Sequence, residues 1–300
     1  MWGRRGTRWR QVCCDSGVSD LDKDPAALRA VAEGLALEAA EFVRRRRAEV
    51  FGAGAPRDDA ASAVRTKSTP TDPVTVVDTE TERMLRERLA VLRPGEPIVG
   101  EEEGGSFQPE PGVPTWVLDP IDGTVNFVYG IEAYAVSVGV QIDGKSVAGA
   151  VANVPTGEVF AAALGHGAYA SRAGTSVPLR CTDVSELSMA LVGTGFGYAS
   201  ERRFRQAQVF AHLLPEVRDV RRIGSCALDL CMVAAGRLDA YYEEGVHVWD
   251  WAAGALIAAE AGAWLRLPPA DGQSGFIAAA APGVAQEFDR ALRGSGAALR

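Results

Sequence analysis

The chain has 300 residues, 47% of them apolar, enough to bury a large core as one domain or two. Its formal net charge is −8 and no basic stripe crosses the body of the chain, so direct nucleic-acid binding is not expected. The five cysteines form no CxxC pair or disulfide framework, no apolar run reaches the roughly 18–20 residues of a membrane span, and the early arginines lack the apolar stretch of a secretory signal, so a reduced, cytoplasmic protein is expected.

Residues 1–23 show no apolar period and read as a disordered N-terminal extension. Asp24 as N-cap and Pro25 at the first helical position open a helix through Leu28, Val31, Leu35 and Phe42 to about Val50. Within it, Arg44 to Arg47 read as a solvated C-terminal turn, where cations suit the dipole. Gly52 to Arg65 is a surface loop by composition, and Pro73 to Asp78 a strand. Thr79-x-x-Glu82 matches a capping box for a helix through Leu85, Leu89 and Leu92, stopped by Pro94. Short strands follow at Ile98-Val99, Trp116 to Leu118 and Ala135 to Ile142, with Asp143-Gly144 turning into Val147 to Val154. Glu158 to Ala163 and Ala168 to Ser171 form another pair around Gly165-His166-Gly167.

Beyond Leu187 strands and helices alternate. Strands are expected at Met189 to Val192, Val217 to Ile223, Leu238 to Glu243 and Gly275 to Ala280, and helices from Ser200, over Ser225 to Gly236 and from Asp250 to Gly262. The expected organisation is an N-terminal α+β domain over 24–184, which carries most of the acids described next, and a C-terminal α/β domain over 185–300, tightly packed, with no repeat or low-complexity linker. Gly193-Thr194-Gly195-Phe196-Gly197 lacks dinucleotide-fingerprint spacing and reads as a glycine-rich turn. His166, His212 and His247 have no metal-ligand spacing.

The chemistry concentrates in Trp116 to Thr124, WVLDPIDGT. An apolar strand delivers Asp119, proline turns the chain, and Asp122 returns three positions later. Gly123 permits a tight backbone, and its N–H with that of Thr124 can face an anion. Ile98-Val99-Gly100-Glu101-Glu102 offers a further acid after a short strand, and Trp249-Asp250 another in the first turn of an apolar helix. Carboxylates brought within about 4–6 Å raise one another's pKa values unless cations neutralise them. Oxygen ligands without His or Cys select Mg²⁺ or Mn²⁺, and two such ions can polarise a phosphoryl group, activate water and stabilise a leaving oxygen.

WVLDPIDGTVNF (Trp116 to Phe127) resembles the first signature of the inositol monophosphatase family, and WDWAAGALIAAEAG (249–262) its second. Gly100-Glu101-Glu102, the run KSTPTDPVTVVD from Lys67 to Asp78, and Tyr241-Tyr242-Glu243 extend the resemblance over nearly the whole chain from Ala26. It implies a mixed α/β, layered αβαβα sandwich of the sugar-phosphatase type, with an antiparallel N-terminal sheet and a smaller mixed C-terminal sheet, commonly as a homodimer. It implies two or three Mg²⁺ ions, with Mn²⁺ as a substitute, and lithium sensitivity. Glu101, Asp119 and the Ile121 carbonyl would hold the first ion, Asp119, Asp122 and Asp250 the second, and Glu101 would position a third. Asp78 and Thr124 would orient the attacking water. Substrate contacts would come from Asp122, Gly123, Thr124, Gly224, Ser225, Cys226, Glu243 and Asp250, and Lys67 would precede the metal-site loop. Cys226 stands where relatives often carry alanine.

The expected reaction is hydrolysis of a small phosphate ester, led by inositol 1-phosphate. Nucleotide 3′-phosphatase, fructose-1,6-bisphosphatase and histidinol phosphatase share the metal core. Val125-Asn126 stands where nucleotidases tend to carry lysine and glycine, and Glu243 suits inositol hydroxyls. A non-catalytic, transcription-associated binding role is the alternative from another class.

Overall fold

The computed structural model describes residues 23–52, 64–66, 73–105, 110–269 and 273–297. The expected N-terminal extension, most of the 52–65 loop and Lys67 lie outside them. Helix α1 (Pro25–Phe51) starts as its sequence dictates, the Asp24 carboxylate accepting the Ala27 N–H at 3.2 Å. Its buried face, Leu28, Ala32, Leu35, Ala39 and Val43, follows the helical period, and each buried leucine contributes roughly 1.5–3 kcal/mol. The helix continues past Arg44 to Arg47, so these residues are not its last turn. Three of them are not simply solvated: Arg44 donates to the Val154 carbonyl at 2.7 Å, Arg46 pairs with Glu80 at 2.8 Å, and Arg47 donates to the Phe127 carbonyl at 2.9 Å.

Strands β1 (Val64–Thr66) and β2 (Pro73–Thr75) form a short antiparallel ladder, where Val64 to Arg65 had read as loop. Helix α2 (Val76–Leu92) begins inside the expected strand. The capping box is therefore Thr75 with Asp78, not Thr79 with Glu82. Thr75 satisfies the first amides of the helix and Asp78 reaches back to the Thr75 N–H at 2.9 Å.

Seven strands form the larger sheet: β3 (Ile98–Gly100), β4 (Thr115–Asp122), β5 (Ala135–Ile142), β6 (Lys145–Asn153), β7 (Glu158–Ala163), β8 (Ala168–Arg172) and β9 (Thr175–Pro178), in that spatial order. Only β3 and β4 pair in parallel. Helix α3 (Thr124–Tyr129) connects β4 to β5.

The smaller sheet is mixed, ordered β11-β10-β12-β14-β13. It contains β10 (Leu191–Thr194), β11 (Asp219–Arg221), β12 (Ala240–Val246), β13 (Trp264–Arg266) and β14 (Gly275–Ala280). The residues before β10, Leu187–Met189, form a 3-10 turn where a strand had been expected to start. Helices α4 (Ser200–Leu213), α5 (Cys226–Ala234), α6 (Val248–Glu260) and α7 (Ala285–Gly294) complete the chain. β9, β13 and α7 are elements the sequence pattern left unassigned.

Helices α1 and α2 cover one face of the large sheet, α5 and α6 lie between the sheets, and α7 packs on β14 of the small one, giving the layered mixed α/β sandwich. One apolar cluster runs from Val117, Val151 and Phe160 of the large sheet through Leu228, Ala253 and Ile257 to Tyr241 and Ile277 of the small sheet. Gly139 and Gly149 let α6 approach closely, since a Cβ on either would lie within 2.9 Å of Ala252 or Ala253. This middle layer carries the N-terminal ends of α5 and α6 to the end of β4, where the acids are.

Candidate metal and active site

Asp119 and Asp122 stand three apart, a spacing that puts side chains on opposite faces of a regular strand. The register of β4 against β5 resolves this: Asp119 pairs with Ser137 and Asp122 with Ala135, so Pro120-Ile121 carries one extra residue. The bulge turns both carboxylates to one side. The strand thus continues to Asp122 instead of ending at Asp119. Asp119 accepts the Ile121 N–H at 3.0 Å, closing the bulge on itself.

Asp250 joins them from α6. Its carboxylate accepts the His247 N–H at 2.6 Å as a helix cap, and one oxygen from each of Asp119, Asp122 and Asp250 lies within 4.8 Å of the others. Asp122 is fixed from the far side by the Ser225 hydroxyl and the Ala227 N–H, both at 2.6 Å. Ser225 caps α5 by accepting the Leu228 N–H, so one serine orients both a helix and an acid.

Glu101 follows β3 on the wall of the same cleft, outside the 4.8 Å group. Its segment is held by a residue whose role no local pattern announced. Glu82, fully buried on α2, accepts the N–H groups of Glu102 at 2.7 Å and Glu103 at 3.0 Å, while Arg86 pairs with it.

Asp78 is fully buried, and its carboxylate accepts from the Thr75 N–H and hydroxyl on one oxygen and faces the Thr124 hydroxyl at 3.1 Å on the other. The Thr124 hydroxyl also lies 3.0 Å from the Ile121 carbonyl. One proton can serve only one of these acceptors at a time. Gly123 precedes α3 with φ +95°, and a Cβ there would press on the Gly224 and Ala133 carbonyls at 3.0 and 3.1 Å. Asn126 ties the same turns together through the carbonyls of Ala133 and Ile223.

Glu101, Asp119, Ile121, Asp122, Gly123, Thr124 and Asp250 line an open cleft of about 480 Å³, with Gly224, Cys226, Glu243 and His247. The predicted site residues Asp78 and Ser225 stand behind its wall and reach it only through Thr124 and Asp122. Glu243 accepts the Tyr241 hydroxyl at 2.6 Å. The glycine-rich turn after β10 has a structural purpose here: a Cβ on Gly195 would lie 1.8 Å from a Glu243 carboxylate oxygen. The His247 ring stacks on Trp249, centroids 4.7 Å apart, so this histidine borders the site through packing and its backbone.

Burial, and then the charges of Glu243 and Glu101, push the Asp122 carboxyl up to about 7 against the hydrogen bonds of Ser225 and Ala227. Burial, with Asp122 and Glu101, raises Asp250 well above the usual carboxylate range, and burial raises Glu243. Burial, and then the charges of Glu243, Asp250 and Asp122, also raise the Cys226 thiol.

The donor set fits a hard divalent cation: three carboxylates, a nearby backbone carbonyl and no nitrogen or sulfur in the group, with mutual repulsion a cation would relieve. The sign of the pH dependence follows. Without metal, folded Asp122 stays protonated to about 7 while the unfolded side chain ionises near 3.8. The folded state then holds the extra proton, so its stability falls as pH rises across that window. A metal-free preparation should lose several degrees of Tm between about pH 4 and 7, and saturating Mg²⁺ should remove the loss at neutral pH. A flat metal-free profile would show that the acids are not coupled as described.

A model of the inositol monophosphatase family matches residues 24–293. The inositol-1-monophosphatase SuhB of Mycobacterium tuberculosis is 64% identical over 278 residues, covering 91% of this chain and 95% of that protein. The solved structure of M. tuberculosis SuhB superposes with a TM-score of 0.78 at 58% identity, over 92% of this chain and 99% of that one. A more distant relative, the Nus factor SuhB of Pasteurella multocida, is 35% identical over 237 residues, 77% of this chain and 85% of its own length. With its bulged Asp119–Asp122 strand, its Asp250 helix and both signatures inside that match, the chain belongs to the inositol monophosphatase family.

Proposed function

We propose that the protein is a Mg²⁺-dependent phosphomonoesterase, with Mn²⁺ as a substitute, acting on inositol 1-phosphate and related polyol or sugar phosphates. The observation that carries this is the three-acid group opening on a cleft large enough for a small sugar, beside the buried Thr124–Asp78 pair. Asp119, Asp122, Asp250 and the Ile121 carbonyl would hold divalent cations, with Glu101 adding a ligand from the wall. When bound, the cations supply charge neutralisation at the phosphoryl oxygens and activation of water.

The chain's own groups do the rest. The Ile121 carbonyl and Asp78 compete for the Thr124 proton, so engaging the carbonyl as a ligand directs that proton to Asp78 and leaves the Thr124 lone pairs for a water. The N–H groups of Gly123 and Thr124 reach phosphate oxygens, Glu243 with the turn at Gly224 and Cys226 meets substrate hydroxyls, and Ser225 acts through its hydrogen bond to Asp122. Attack is direct and in line, without a phosphoenzyme. A homodimer is part of this proposal on the sequence resemblance alone. No helix among the described residues is long and apolar enough to cross a membrane.

The test is phosphate release from inositol 1-phosphate, histidinol phosphate and adenosine 3′,5′-bisphosphate, with Mg²⁺, Mn²⁺ or chelator. Mg²⁺-dependent release from inositol 1-phosphate is expected. Release confined to either of the other esters would overturn the substrate, and a trapped phosphoprotein the mechanism. Similarity to the Nus factor SuhB of P. multocida favours a second reading, a transcription-associated binding role. If inactive Asp119→Asn protein restored every phenotype of a deletion strain, that role would replace catalysis as the biological one.

A further inference from the structure

Helix α2 carries two fully buried acids one turn apart on one face, Asp78 and Glu82, and the chemistry above uses only the first. The Glu82 carboxylate serves the main chain. One oxygen accepts the Glu102 N–H at 2.7 Å and the other the Glu103 N–H at 3.0 Å. Arg86, one turn further on the same face, donates from Nε to Glu82 at 2.9 Å and from Nη2 to the Gly104 carbonyl at 2.6 Å. A single ion pair on α2 thus grips residues 102–104 by two amides and a carbonyl.

That turn is where Glu101 leaves β3. The Glu101 N–H donates to the Leu118 carbonyl at 3.2 Å, next to Asp119 on β4, and the Gly100 N–H closes the turn on the Gly104 carbonyl at 3.0 Å. Glu101 is therefore fixed by β4 on one side and by Glu82 on the other. Gly100 makes room for this hold: a Cβ there would stand 2.2 Å from Oε1 of Glu82 and 2.7 Å from Oε2. Burying a carboxylate is unfavourable, and a pair with Arg86 alone could form at the surface. What burial adds is the hold on the turn.

Glu101 lines the cleft but stands outside the group of Asp119, Asp122 and Asp250, whose oxygens lie within 4.8 Å of one another. A ligand carried on a turn outside that group can share its cations only if the turn is held. We infer that Glu82, with Arg86, is a positioning residue that fixes Glu101 for cation binding. Helix α2 is then a common mount for Glu101 and for Asp78, which faces Thr124. Glu82 itself does not line the cleft and touches no substrate. This role deepens the phosphatase reading and rests on it, because Glu101 enters it as an added ligand.

The test titrates metal-free, full-length protein with Mn²⁺ and reads free Mn²⁺ by its paramagnetic resonance signal. The parent is compared with Glu82→Gln, Glu101→Gln and the double variant. Glutamine keeps the shape of Glu82 but sets an NH₂ group against one of the two N–H groups, whichever way it turns. Glu82→Gln should weaken, by about 10- to 100-fold, the same Mn²⁺ binding step that Glu101→Gln weakens, as loss of a partner behind a ligand usually does. The double variant should bind within about threefold of Glu101→Gln alone, because Glu82 has nothing left to position. Arg86→Lys keeps the charge but not the fork onto Gly104, and should lose about three- to tenfold at that step, which keeps the role testable if Glu82→Gln does not fold. Losses that multiply in the double variant, or that fall equally on every Mn²⁺ binding step, would make Glu82 a general support of the fold and overturn the inference. Unchanged Mn²⁺ binding in Glu82→Gln or Arg86→Lys would overturn it too. A parent that bound no Mn²⁺ would instead sink the phosphatase reading, and the positioning role with it.

Discussion

Asp119→Asn should lower Mg²⁺-dependent phosphate release by at least about a thousandfold, because cation catalysis is worth several kcal/mol and about 1.4 kcal/mol is a factor of ten. Asp119 is 1% exposed and sits at the start of the bulge, its Oδ1 closing on the Ile121 N–H. Asparagine keeps that acceptor and the side-chain shape, so the bulge and the direction of Asp122 survive. What is lost is one ionisable carboxylate of the three gathered within 4.8 Å. Removing it relieves repulsion among buried acids, so the metal-free variant should melt no lower than the metal-free parent, and the rise in Tm on adding Mg²⁺ should shrink or vanish. This pairing separates loss of a cation site from loss of fold. Activity within tenfold of the parent would mean that the three acids are not the cation site.

The site was legible in the sequence where one short segment carries both the chemistry and the backbone device that presents it. Asp119, Pro120, Asp122 and Gly123 are such a segment, although the bulge that makes an odd spacing converge is visible only against the register of β5. The region before it was harder. Val74 to Val77 is β-branched and reads as strand, and both Thr75-x-x-Asp78 and Thr79-x-x-Glu82 fit the capping pattern. Tertiary demand decides between them. Asp78 must turn inward to Thr124, and Glu82 must face the amides after Glu101; both follow only if the helix starts at Val76.

Glu82 gave only the signal of a helix cap, because the partners it has, the amides of Glu102 and Glu103, lie about 20 residues on, and a pattern within one window cannot see them. The glycine-rich turn at Gly193 to Gly197 gave the opposite problem, a conspicuous pattern whose reason, space for the Glu243 carboxylate, lies about 50 residues downstream. At the other end, Phe288 and Leu292 pack α7 at helical spacing, but the segment is short and follows Pro282-Gly283, so nothing local marks its start.

Thr124→Val should reduce kcat by about 10²- to 10⁴-fold, the usual contribution of a positioned proton-transfer group, with little change in KM. Valine reproduces the branched shape of threonine, so α3 and the N–H groups of Gly123 and Thr124 stay in place. Only the hydroxyl is lost, with its contacts to Asp78 at 3.1 Å and the Ile121 carbonyl at 3.0 Å. Asp78 keeps the two donors of Thr75 but loses one partner in a fully buried setting, a cost of about 1–3 kcal/mol that appears as a fall of several degrees in Tm. Thr124→Ser keeps the hydroxyl and should recover kcat to within about tenfold of the parent, which a purely structural role for the threonine would not require. Steady-state kinetics on inositol 1-phosphate at saturating Mg²⁺, run beside thermal melts of both variants, distinguish the two roles. If Thr124→Val kept kcat within about threefold, the hydroxyl would have no part in orienting water, and Asp78 would be left as a helix cap alone.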